Sequence, residues 1–89
     1  MEKKLKGRAL HRAKIAEGQF RGLVKAIEQN KYCVDIITQS LAIQNSLKSL
    51  DALVLKNHLQ EHVGHQLHQP VSRAKTIQEL VKIYSLSKK

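Results

Sequence analysis

The sequence predicts an all-α fold of three helices, and three observations carry that prediction. Apolar residues recur at helical spacing in three separate segments, one segment runs about thirty residues from Cys33 to His62, and Gly64 and Pro70 punctuate the chain beyond it. Eighty-nine residues make a single domain, 1–89, with room for only a modest core. With one Phe, two Tyr and no Trp, much of that core is aliphatic. It is expected to be shared between protomers of a homo-oligomer.

The first helix occupies residues 1–30, starting between Lys4 and Ala9 and stopping at Asn30. Leu10, Ala13, Phe20, Val24 and Ile27 recur at helical spacing beside Leu23, with Glu17 on the same stripe. Gly18 and Gly22 each weaken the helix by up to about 1 kcal/mol relative to Ala, yet permit close helix approach. The connection to the next helix is short, so the two are expected to pack as an antiparallel hairpin.

The second helix, from Cys33 to His62, carries Ile36, Ile43, Leu47, Leu50 and Val54 on one stripe, widened by Ile37, Leu41 and Leu55. Polar Ser40 and Gln44 interrupt the stripe, as a site or a register device would. A helix of this length exceeds what a small domain needs, and its excess is best buried against a second copy. Gly64 is its natural terminus, and Pro70 bars continuation. Residues 65–71 read as a polar connector. Ser72 is positioned to cap a third helix containing Ile77, Leu80, Val81 and Tyr84, before a short basic tail.

The net charge of +9 is unevenly placed. Residues 1–31 carry nine Lys/Arg against three acids, residues 32–69 two against three, and residues 70–89 five against one. Basic flanks around a nearly neutral middle suit a polyanionic partner, because each cation that neutralises a phosphate releases condensed counterions. A self-repelling, well-solvated surface accounts for the same charge. An anionic membrane surface fits less well, since the basic segments also carry acids and lack Trp. No apolar run approaches the roughly 20 residues needed to span a bilayer. The single cysteine and the charged N-terminus point to a reducing, cytoplasmic setting with a free thiol.

His58 and His62 stand four residues apart, which places both imidazoles on one helix face within reach of one ion. The helix macrodipole also favours histidines near a C-terminus. A lone cysteine is often a small buried hydrophobe. The three together gain weight from geometry. At 1.5 Å per residue, Cys33 and His58 are roughly 37 Å apart along one helix, so they can share an ion only between antiparallel helices of two chains. Each dimer would then hold two symmetric Cys33, His58 and His62 sites. His65 and His68 fall in or after the Gly64 break and read as loop residues, with His65 a lesser candidate for an added ligand.

No catalytic grouping is visible: there is no Ser/His/Asp constellation, no phosphate-binding or dinucleotide Gly loop, and no orienting group for a Cys/His pair. An enzyme is not expected. Nor is a helix-turn-helix or zinc-finger spacing present, so any DNA contact falls to basic helix faces.

The segments RAKIAEGQFRG at 12–22, KYCVDIITQ at 31–39 and NHLQEHVGHQ at 57–66, in that order, resemble the CsoR/RcnR family of metal-sensitive transcriptional repressors. The likeness covers nearly the whole chain. It implies that the first two helices form an antiparallel four-helix bundle with a second protomer, with dimers pairing into tetramers. It also implies operator DNA binding without metal and release when metal binds. Cys33, His58 and His62 match the family's sensing positions, the third being Cys in copper sensors and His in nickel/cobalt and some other sensors. Tyr32 resembles the tyrosine beside the copper-sensing cysteine, and Glu79 a carboxylate that supports a ligand from the third helix. Arg12 matches a DNA-contacting position, with Arg21 and Lys48 as further candidates.

Tyr32-Cys33 and the missing N-terminal histidine favour copper(I), while one thiolate and two imidazoles also suit nickel, cobalt or zinc with added ligands. The persulfide-sensing members need a second cysteine, which this chain lacks. Glu2, where formaldehyde-sensing members have Pro, argues against that effector. A metal carrier without DNA function is the competing class.

Overall fold

The computed structural model describes residues 1–63 and 70–88. In chain order they form α1 (Lys3–Glu28), α2 (Cys33–His58), a π-helical turn (Leu59–Val63) and α3 (Pro70–Ser87). The all-α, three-helix reading is thus the observed fold. Among the described residues no helix is long and apolar enough to cross a membrane. The chain divides into two compact units, Met1–Leu55 and Lys56–Lys89.

In the first unit α1 and α2 form the expected hairpin. Its turn is built by Asn30, which adopts φ 55°, the left-handed region that L residues other than Asn and Asp rarely visit. There the N–H of Lys31 donates to the Ala26 carbonyl at 3.0 Å and that of Asn30 to Ile27 at 3.1 Å. These two bonds define a Schellman cap, which satisfies carbonyls the helix end would leave bare. Asn30 therefore stops α1 as its sequence position suggests.

On α2 the hairpin core follows the stripe read from periodicity, through Ile36, Ile43, Leu50 and Val54, whereas on α1 it follows a seam that periodicity did not single out. Leu5, Ala16 and Ala26 of α1 are buried, together with Ile43 of α2. Ala9, Arg12, Gln19 and Leu23 continue the α1 seam half-buried, as do Ile36, Ser40, Ser46, Leu50 and Val54 on α2. The larger apolar stripe read from the sequence, with Leu10, Phe20, Val24 and Ile27, faces outward at 49–54% exposure. Ile37 and Leu41 of α2 do the same. Each helix thus carries two apolar faces, one closed within the chain and one still open. Fully burying such a side chain is worth about 1.5–3 kcal/mol, so the open faces leave a large stabilisation unrealised in one chain.

Gly7 and Gly22 are not packing devices within the chain, since a Cβ at either would meet nothing within 4 Å. At Gly18 it would meet only the end of the Arg21 side chain, at 3.7 Å.

Two boundaries differ from the sequence reading. The α-helical part of α2 ends at His58, and the chain continues as a π turn through Val63. The carbonyls of a last turn lack intrahelical successors and relax readily to wider spacing. The third helix begins at Pro70 and not after a Ser72 cap. Proline suits a first helical position, because its missing N–H would have had no partner there and its φ is already helical. Gly64, His65 and His68 lie outside the described residues, as does most of the expected connector. In the second unit Thr76 of α3 is buried, and Leu59, Glu79 and Leu80 are half-buried.

Candidate metal centre

Cys33 is the first residue of α2 and its thiol is free and exposed. The turn that carries it is held by the Tyr32 carbonyl, which accepts the N–H of Asp35 at 2.9 Å and that of Ile36 at 3.2 Å. Asp35 in this first turn also complements the positive end of the helix dipole. The Tyr32 side chain is 69% exposed, so in the single chain it lies open beside Cys33.

His58 is the last α-helical residue of α2. Its Nε2 lies 3.7 Å from Oε2 of Glu79 on α3, with both side chains partly exposed. The structure thus joins two residues that sequence reasoning could relate only through a family likeness. The backbone of His62 falls within the π turn, at a helical irregularity of a kind frequent at functional sites.

Among the described residues no three His, Cys, Asp or Glu side chains converge within one chain. Helix arithmetic explains this. From Cys33 to His58 is roughly seven turns of 3.6 residues, so the two share a face of α2 but stand at its opposite ends. Ile37, Leu41, Gln44, Lys48 and Asp51, all exposed, lie along the strip between them. One protomer therefore presents the Cys33 thiol at one end of an open strip and the His58 imidazole at the other.

The basic candidates have distinct surroundings. Nη1 of Arg12 donates to the Ser49 carbonyl at 3.0 Å and also to the Ser49 hydroxyl. These bonds fix the guanidinium at the rim of a shallow groove of about 290 Å³, lined by Arg12, Ile15, Asn45, Ser46 and Ser49. Arg21 pairs with Glu17 one turn earlier at 3.3 Å, both side chains well exposed. Lys48 projects from the open strip of α2 itself.

Sequence reasoning did not find Ser46 and Ser49. The Ser46 hydroxyl donates to Oε1 of Gln19 at 2.7 Å, so with Arg12–Ser49 it forms two polar links across the hairpin. The available signal was two hydroxyls three residues apart, which places both on one side of α2.

Comparison with known proteins decides the family. The model of the metal-sensitive transcriptional repressors matches residues 5–85. This chain belongs to that family. Its members are transcriptional repressors and not enzymes, in keeping with the absence of a catalytic grouping from the sequence. Among relatives, the copper-sensing transcriptional repressor RicR of Mycobacterium tuberculosis is 39% identical over 61 residues, covering 68% of this chain and 59% of that protein. The copper-sensing repressor CsoR of Bacillus subtilis is 38% identical over 55 residues, 62% of this chain and 54% of the relative. The chain thus spans little more than half the length of these relatives. The crystal structure of the copper-sensing repressor CsoR with Cu(I) from Geobacillus thermodenitrificans superimposes with a TM-score of 0.87 at 30% identity, covering all of this chain and 92% of that one.

Proposed function

We propose that this protein is a copper(I)-responsive repressor that binds operator DNA without metal and releases it when Cu(I) binds between two subunits. The observation that carries the reading is the open strip of α2, with the exposed Cys33 thiol at one end and His58 at the other. Two such strips packed antiparallel complete two equivalent sites, each taking Cys33 from one protomer and His58 and His62 from its partner. One soft thiolate and two imidazoles suit Cu(I). The naming of the relatives and of the matched structure as copper-sensing supports the same ion.

In this arrangement Glu79 orients His58. With Nε2 3.7 Å from the carboxylate, Nδ1 is the candidate ligand atom, and a carboxylate beside the opposite ring nitrogen raises its basicity. Tyr32 stands beside the thiolate at the other end. Because Glu79 belongs to α3, occupancy of the site bears on a second helix as well as on the dimer. Metal can shift the protein off DNA only to the extent that it binds the released conformation more tightly.

On the DNA side, Arg12 and Arg21 of α1 are the cations assigned to phosphates. The guanidinium of Arg12 keeps donors beyond those given to Ser49. Lys48 is the weakest of the three candidates, since it lies on the strip assigned to the partner subunit. Dimers are proposed to pair into tetramers, and the setting is proposed to be cytoplasmic.

The test is fluorescence anisotropy of DNA from upstream of the protein's own operon, titrated with protein at several salt concentrations. Tight binding that falls steeply with salt and is reversed by stoichiometric Cu(I) supports the reading. Binding that is weak at low salt, indifferent to sequence and unaffected by Cu(I) overturns it in favour of a metal carrier.

A further inference from the structure

We infer that Gln44, Lys48 and Asp51 form a polar layer across the dimer axis that sets the register of the two antiparallel α2 helices, and so determines whether Cys33 meets its partner histidines. The inference rests on the inter-subunit site proposed above and names the residues that position it. These three side chains are exposed, and they interrupt the open strip between apolar Ile37 and Leu41 on one side and Leu55 on the other. Gln44 bonds Ser40 one turn earlier at 3.3 Å, and neither Lys48 nor Asp51 forms an ion pair within the described chain.

Antiparallel pairing about a two-fold axis fixes every facing pair once one is chosen. If Cys33 faces the partner's His62, then Ile37 faces the partner's His58, Gln44 faces the partner's Asp51, and Leu47 faces the partner's Lys48. Each Lys48 then stands four residues, about 6 Å along the axis, from the position opposite Asp51, within reach of its flexible stem. The layer brings together two ammonium groups, two carboxylates and two amides, with no net charge.

Slipping by one heptad keeps the same faces together and is the natural competitor. A slip one way sets Asp51 against its own copy and removes the histidines from Cys33. The opposite slip sets Asp51 against Ile37 and Cys33 against Leu55. Neither slip keeps the Gln44 amide opposite Asp51, and the first also sets two carboxylates face to face, so both lose polar matching within the seam. Buried polar residues are best attested in this role, fixing register at some expense of stability. Lys48 is thereby assigned to the subunit interface in preference to DNA.

The experiment reads register directly. Cys33 is the sole cysteine, so His62→Cys adds one thiol, and a disulfide requires Cα atoms closer than about 7 Å. Oxidation with diamide should give a covalent dimer whose linked peptides join position 33 to position 62. Adding Gln44→Leu and Asp51→Leu should leave the protein dimeric by sedimentation while the 33-to-62 linkage falls on the order of tenfold, because apolar strips slip freely. Exchanging the charges with Lys48→Asp and Asp51→Lys together should restore the linkage that Asp51→Lys alone abolishes. If the His62→Cys protein never links 33 to 62, the antiparallel metal site itself is wrong. If it does, and Gln44→Leu with Asp51→Leu links equally well, the layer is wrong and the site stands.

Discussion

Nε2 of His58 lies 3.7 Å from a carboxylate oxygen of Glu79, so the end of α2 and the middle of α3 meet at the imidazole proposed to hold metal. In the proposed site this carboxylate orients the ring and makes its other nitrogen a better ligand. Glu79→Gln keeps the size of the side chain and removes the charge. Loss of such a supporting carboxylate typically lowers metal affinity by about 10–100-fold. Competition against a Cu(I) chelator should show a loss in that range with an unchanged circular dichroism spectrum. Parental affinity in the variant would mean that the ring is held by other contacts.

Asn30 stops α1 in a left-handed conformation that glycine adopts without strain. Asn30→Gly should therefore preserve the turn and change stability by no more than about 1 kcal/mol. Asn30→Val places a β-branched side chain at φ 55° and should cost at least about 1–2 kcal/mol. Urea unfolding of the two variants at equal protein concentration measures the difference. Equal midpoints would show that the cap is dispensable.

The three helices, the stop at Asn30 and the separation of Cys33 from His58 were legible because each depends on local chemistry or on helix rise. The inner face of α2, through Ile36, Ile43, Leu50 and Val54, was legible as well, but that of α1 was not. Leu10, Phe20, Val24 and Ile27 give the stronger periodic signal on α1, but the hairpin closes instead over Leu5, Ala16 and Ala26, and periodicity does not say which partner a stripe meets. Arg12 illustrates the same limit at the site. Its charge is evident in sequence, but its bonds to Ser49 depend on how two helices cross. The start of α3 at Pro70 was hidden because one residue can end a helix or open the next, and only the neighbouring backbone decides.

Arg12 and Arg21 should separate in their effects. Arg21 and Glu17 form a well-exposed pair one turn apart, of a kind that contributes little to stability. Arg21→Ala should leave the unfolding midpoint unchanged. Arg12→Ala also removes bonds across the hairpin, which should lower stability by on the order of 1 kcal/mol. If both reach phosphates, each variant should reduce the slope of log K against log salt by about 0.9 for every phosphate the protein no longer neutralises. Anisotropy titrations at several salt concentrations measure that slope, and a parental slope in either variant removes that residue from the DNA interface.

Cys33→Ala gives the sharpest test of the shared site. The substitution removes little volume from a residue that is exposed in the single chain, so fold and DNA binding should match the parent. Each inter-subunit site loses its thiolate, and Cu(I) should no longer release DNA at concentrations that act on the parent. His58→Ala should behave alike by removing an imidazole from each site. Mixed together, the two defective chains complement. A dimer of one Cys33→Ala protomer and one His58→Ala protomer keeps one whole site, because the second supplies Cys33 and the first supplies His58 and His62. Random pairing makes half of the dimers mixed, each with one of its two sites intact, so an equimolar mixture should recover about a quarter of the parental Cu(I) sites. Recovery of none, with subunit exchange confirmed by mass spectrometry, would place the ligands within a single chain. Release of DNA by Cu(I) from Cys33→Ala at the parental concentration would remove the thiol from the site altogether.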